Sequence, residues 1–167
     1  VDGKLIAPIR PKIPSLIPGK DYLLEIVVRT MQVGHLFSQG TADSNEIWID
    51  VALENGGKII GRSGGLSEGR EVDPWSHFLN VYMLDKNGNR IDRRNAQDIF
   101  TPLYNNQMPP GTGQVAHYRF KVPEDTKGEI KVSVKLHYRK FDAKYMKYIY
   151  PDKPENDLPI VVMSNDQ

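Results

Sequence analysis

The chain contains no cysteine. That absence excludes disulfides, thiolate zinc sites, a Cys nucleophile and haem attached through Cys-x-x-Cys-His within these residues. It assigns no compartment, because proteins outside the cytoplasm can lack disulfides. A charge imbalance is also absent. A formal net charge of +1 over 167 residues provides no long-range field for a phosphate backbone, so nucleic acid is not an expected partner. No apolar run approaches the roughly 20 residues of a membrane-spanning helix, so no spanning segment is expected. Catalytic signatures are lacking too. Ser38, Ser44 and Ser76 sit in no Gly-x-Ser-x-Gly elbow, the four histidines form no His-Glu-x-x-His pair, and no Lys-Ser/Thr follows the glycines of Gly61-Arg62-Ser63-Gly64-Gly65. The chain opens at Val1 with neither an initiator Met nor a charged-then-apolar leader. A processed mature chain, or a piece of a longer one, is the expectation.

What is present describes one globular domain. Hydrophobic residues make up 39% and charged residues 26%, too apolar for disorder and enough for a single core. Residues 1–20 read as an extended lead-in, since Pro8, Pro11, Pro14 and Pro18 remove backbone donors at short intervals. The aliphatics between them (Leu5, Ile6, Ile9, Ile13, Leu16, Ile17) predict that this arm packs on the domain formed by residues 21–167.

That domain reads as β. Tyr22 to Thr30 puts Leu24, Ile26 and Val28 on one face. Glu46 to Leu53 puts Ile47, Ile49, Val51 and Leu53 on one side, with Trp48 and Asp50 opposite. Asn55-Gly56-Gly57 supplies a tight hairpin returning through Lys58 to Arg62. Phe78 to Leu84 is a further strand, closed by the turn Asp85 to Asn89. Val115 to Val122 and Glu129 to Arg139 alternate apolar and polar residues with period two, which means a half-exposed antiparallel sheet. The short link Pro123 to Gly128 predicts a hairpin between these two. Phe141 to Tyr150 has helical spacing, and Leu158 to Met163 adds an edge strand. Seven or eight strands of this kind predict an all-β, immunoglobulin- or fibronectin-like antiparallel sandwich with one short C-terminal helix.

Candidate chemistry concentrates between the first two strands. His35 lies in a loop flanked by Gly34 and Gly40, where neither strand periodicity nor a helix face assigns it to the core, so a ligand role is open to it. Asp43, Asn45 and Glu46 carry oxygens suited to calcium or another metal ion, with His77 as a further ligand candidate. Their spacing falls short of an EF-hand, and Asp and Asn also build turns. These residues frame one alternative, a metal-dependent enzyme or metal-binding module centred on the loop from His35 to Glu46. His117 and His137 fall on the polar phase of their strands and are expected at the surface. Arg90, Asp92, Arg93 and Arg94 form a charged cluster expected to be solvated or ion-paired.

Several segments together carry a resemblance. Val27-Val28-Arg29-Thr30, Val33-Gly34-His35-Leu36-Phe37, Gly40-Thr41-Ala42-Asp43-Ser44-Asn45-Glu46-Ile47-Trp48 and Gly61-Arg62-Ser63-Gly64-Gly65 are the first four. Asp73-Pro74-Trp75-Ser76-His77-Phe78, Ile91-Asp92-Arg93-Arg94-Asn95 and Tyr138-Arg139-Lys140-Phe141 follow in order. Over roughly residues 5 to 146 the chain resembles the non-haem β-domain of bacterial multihaem c-type cytochromes. In that family the β-domain follows a region of Cys-x-x-Cys-His haem sites, and some members continue into tetratricopeptide repeats. The resemblance implies a periplasmic or otherwise extracytoplasmic module that accompanies electron-transfer haems without attaching one. Its implied partner is a haem-bearing cytochrome region or subunit contributing haem c, to which His35 would offer an axial ligand. The other ring nitrogen would then be held by a carbonyl, or by a carboxylate such as Asp43 or Glu46.

Overall fold

A computed structural model describes residues 3–40 and 42–167. Eight strands and one short helix follow in the order β1 (Asp21–Arg29), β2 (Glu46–Asn55), β3 (Lys58–Ser63), β4 (Val81–Leu84), β5 (Thr101–Asn105), β6 (Gly113–Lys121), β7 (Ile130–Arg139), α1 (Ala143–Ile149) and β8 (Val161–Asp166). All pairings are antiparallel. β1 pairs with β6, the four-stranded sheet runs β3-β2-β7-β8, and β4 pairs with β5. The expected all-β sandwich with a short C-terminal helix is what the chain forms.

The period-two pattern explains the principal core. Leu24 and Ile26 of β1 and Ala116 of β6 face Ile49 and Val51 of β2, with Tyr118, Phe120, Val132, Val134 and Leu136 closing the layer. Each buried aliphatic there contributes roughly 1.5–3 kcal/mol relative to exposure. A second cluster of Ile47, Leu79 and Met108 lies beside Val28, Phe37 and Tyr138. It is tied by reciprocal backbone bonds between Phe37 and Met108. That clamp fixes the loop bearing His35 to the loop after β5.

Four expectations need correction. The link Pro123 to Gly128 makes no hairpin: β6 belongs with β1 and β7 with β2. Its ends are captured by different sheets. The Val122 backbone exchanges bonds with Gly19 and Lys20 at the start of β1, whereas the Asn55 amide at the end of β2 donates to the carbonyls of Lys127 and Glu129. His137 is the second, since it is largely covered rather than at the surface. Third, the strand expected from Phe78 begins only at Val81, and Phe78 instead makes a single bridge to Trp48. Fourth, the arm's aliphatics are not packed away: Leu5, Ile6, Ile9, Ile13 and Ile17 are exposed, and Leu16 is half-buried. Its tethers to the rest are polar, including Arg10 to Asp166 at 3.2 Å.

Candidate functional site

The outer face of β2 and β7 should be polar and wet by its alternation, yet its end at Glu46, Trp48 and Arg139 is buried. Cross-strand partners on this face are Glu46 with Arg139, Trp48 with His137, and Asp50 with Lys135. Trp48 is 1% exposed and Arg139 fully buried. The residues after β3 fold back over them, so that the Trp48 indole N–H donates to the Gly64 carbonyl at 3.0 Å. Gly64 N–H in turn donates to Asp73 at 3.3 Å.

Arg139 organises the cover. Its Nε donates to Glu46 Oε2 at 2.7 Å and its Nη1 to the Arg70 carbonyl at 2.8 Å. Arg70, at φ 59°, donates onward to the carbonyls of Asn156 and Leu158. One buried guanidinium therefore holds β2, the segment before β4 and the segment before β8 together. The His137 ring stacks on Trp48 with centroids 5.1 Å apart. Its Nε2 lies 3.3 Å from Asp50, which also accepts from Arg62 at 2.8 Å. Burial, outweighing the pull of Asp50, lowers the His137 pKa.

A second ion pair adjoins the first. Arg90 donates to Asp142 Oδ2 at 2.6 Å, while Asp142 Oδ1 caps α1 by accepting from Tyr145 N–H at 2.7 Å. The Asp142 backbone donates to the Ser44 carbonyl at 2.9 Å. Burial raises the Asp142 pKa against Arg90 and the cap. The turn before β5, the helix and the loop entering β2 thus meet at one residue, Asp142.

Glu46 is similarly placed. Burial pushes its carboxyl from the ordinary 4.5 up to about 7, against the charge and hydrogen bond of Arg139. A carboxyl raised in the folded state binds more protons there than in the unfolded chain between those two values. Stability therefore falls as pH rises from about 4.5 to about 7, and the loss is complete above that range. Replacing Glu46 with Gln removes the titration. Urea unfolding of both proteins should show their stability difference moving on the order of 3 kcal/mol in the variant's favour between pH 4.5 and pH 8. A pH-independent difference would show that the carboxyl titrates alike in the folded and unfolded chains.

The expected loop residues are not gathered into one centre. Glu46 is engaged by Arg139. Asn45 is buried, with its carbonyl accepting from Asn80 at 3.4 Å, and Asp43 is half-buried. His77 Nε2 lies 3.4 Å from Gln114 Oε1. Among the described residues no three His, Cys, Asp or Glu side chains group as a metal site, and Thr41 lies outside those residues. His35 is exposed, and its Nδ1–H donates to the Leu36 carbonyl at 2.9 Å. The Nε2 is thereby left as the acceptor nitrogen, a tautomer suited to ligating a metal. The carbonyl among the expected holders is present, and neither Asp43 nor Glu46 serves. A hollow of about 310 Å³ opens beside Arg62, Ser67, Glu71 and Asp73. Arg62 pairs there with Asp50, and Asp73 accepts from the Gly64 and Trp75 backbones.

Arg139, Asp142 and Asn156 were not singled out from the sequence. The available signal was Trp48 sharing a strand face with Glu46, because a tryptophan on a supposedly wet face marks a covered one. No helix is long and apolar enough to cross a membrane.

Neither known protein families nor curated proteins match the sequence. Among solved structures the chain is similar to a penta-heme cytochrome c552 from Thermochromatium tepidum, at a TM-score of 0.60 and 14% identity. The match covers 86% of this chain and 34% of that one, so the chain spans about a third of the cytochrome's length. The likeness is one of fold: this chain shares the architecture of part of a multihaem cytochrome.

Proposed function

We propose that the chain is an accessory β-sandwich module of an extracytoplasmic multihaem electron-transfer protein, resembling the family's non-haem β-domain. It works beside a haem-bearing region or subunit and attaches no haem itself. The observation that carries this reading is the shared fold with part of a penta-heme cytochrome, in a chain without the cysteines that thioether attachment requires. Four of the seven segments that resemble the cytochrome β-domain also meet in space: Glu46, Trp48, Gly64, Asp73, Phe78 and Arg139 lie at the covered face, whereas His35, Trp75, Arg93 and Arg94 are exposed.

In this reading His35 is the contact to the partner's haem. Its ring is exposed, one nitrogen is oriented by a carbonyl, and the other is available as an axial ligand. The test is to purify the tagged protein from its own cells, as wild type and as His35→Ala. Haem c that survives denaturation should be found in the same polypeptide or in a co-purifying one. The variant should keep the wild-type melting temperature while shifting the spectrum or potential of one haem. Purification with no c-type haem would overturn the reading. A preparation whose haem spectra are identical in the two proteins would remove the ligand role of His35.

A further inference from the structure

One exposed face of the molecule carries positive charge far out of proportion to the whole. Lys144, Lys147 and Tyr148 lie three and four residues apart on α1 and are exposed, sharing one side of the helix. The turn before β5 adds Arg93, whose guanidinium sits 5.1 Å over the Tyr148 ring, and Arg94, 5.8 Å over Phe141. Lys140 approaches the same Phe141 ring at 5.4 Å, and that ring contacts Tyr145 at 4.8 Å. Arg94 holds a positive φ of 58°, an uncommon backbone state for a residue with a side chain.

Five cations gather here, and among the described residues only Arg93 has a carboxylate in ion-pair reach, its neighbour Asp92 at 3.2 Å. Since the chain totals +1, the remainder is net negative. Such asymmetry orients an approaching partner. It disfavours a long polyanion, which would run onto the negative remainder, and favours a compact acidic patch. Arginine and tyrosine are also the residue types that concentrate binding energy in protein interfaces.

We infer that this face, built on Arg93, Arg94, Lys140, Lys144, Lys147 and Tyr148, docks a separate haem protein through a carboxylate-rich surface. The inference rests on the proposed electron-transfer role. Transient electron-transfer contacts are small, and their charges act mainly on association rate. Binding should therefore be fast, reversible and sensitive to salt.

The experiment immobilises the tagged full chain, as wild type and as the Lys144→Glu/Lys147→Glu double variant, against the extracytoplasmic fraction of its own cells. Both lysines are exposed, so equal near-UV circular dichroism and melting temperature should confirm an intact fold. A haem-stained polypeptide distinct from any that stays bound in high salt should be retained by the wild type at about 20 mM salt. Raising the salt to about 300 mM, which shortens the screening length severalfold, should release it. Purified and returned to the two proteins, it should bind the variant at least about tenfold more weakly. A Lys144→Arg/Lys147→Arg variant should retain binding. Equal, salt-insensitive retention by wild type and variant would overturn the docking face while leaving the cytochrome-module reading intact. Absence of any c-type haem, bound or released, would overturn both. Binding of a 20-base-pair duplex or of phosphatidylglycerol vesicles, lost in the Glu variant and with no haem protein released, would also overturn it.

Discussion

Replacing Gly64 with Ala is expected to leave little folded protein. Gly64 adopts a φ of +83°, and an added Cβ would lie 2.3 Å from the Ile49 carbonyl oxygen and 2.7 Å from Asp50 Cα. Both are backbone atoms of the central strand and have no rotamer by which to withdraw. The left-handed conformation alone costs a residue with a side chain about 1–2 kcal/mol. Relieving the clash means lifting the covering segment, which also breaks the Trp48 bond to the Gly64 carbonyl and exposes an otherwise buried indole. Together these should exceed about 4 kcal/mol, a large part of a typical domain's 5–15 kcal/mol. Gly65→Ala is the control. Its nearest neighbour would be the flexible Arg62 side chain at 3.5 Å, so it should stay within about 1 kcal/mol of wild type. Urea unfolding and near-UV circular dichroism of the two variants separate the cases. Equal stability would mean that the covering segment is not held against β2 as described.

Loss of Arg139 should be nearly as damaging. Arg139→Met leaves the Glu46 carboxyl buried without its cation and deprives the Arg70 carbonyl of its donor. Removing one member of a buried pair generally costs about 3–5 kcal/mol. The unpaired carboxyl can escape part of the penalty by taking up a proton. The cost should accordingly be smaller at pH 5 than at pH 8, where holding that proton is more costly. Adding Glu46→Leu should restore stability only in part. It removes the stranded charge but does not replace the donor that tied down the segments before β4 and before β8. Limited proteolysis should then cut near Arg70 and Asn156 in both variants. Wild-type resistance there, with wild-type stability, would show the guanidinium to be dispensable.

The strands of this fold were legible because their core faces obey a simple period. Ile47, Ile49, Val51 and Leu53 alternate, and all four are buried. The same holds in looser form for Leu24 and Ile26, and for Ala116 facing them. Pairing was not legible in this way. Alternation says which side of a strand is dry but is silent on which strand lies beside it. A six-residue link looked like a hairpin because nothing in its own composition reveals that Gly19, Lys20 and Asn55 hold its two ends apart. The buried polar face was hidden for a related reason. His137 and Arg139 have polar side chains on the polar phase of β7, and only the remote segments around Gly64, Arg70 and Asn156 convert that phase into an interior. The arm misled in the opposite sense, since its aliphatics satisfy every compositional criterion for packing, yet all but Leu16 remain exposed. His35 was identifiable as an outlier from both strand patterns. The orientation of its ring, through the Leu36 carbonyl, depends on a loop geometry that spacing alone does not encode.

The division of neighbouring strands between two sheets has a temporal side. Leu24 of β1 meets Tyr118 of β6, and Ile49 of β2 meets Leu136 of β7, each pairing closing a loop of roughly 90 residues. Such closures are entropically unfavourable before any contact offsets them, and they slow folding. A chain emerging from the ribosome at about 5–20 residues per second would carry β1 for several seconds before its mate existed. Before β6 is made, the β2–β3 and β4–β5 pairs already have both partners at hand. The first two strands thus complete their pairing only once β6 and β7 have been made.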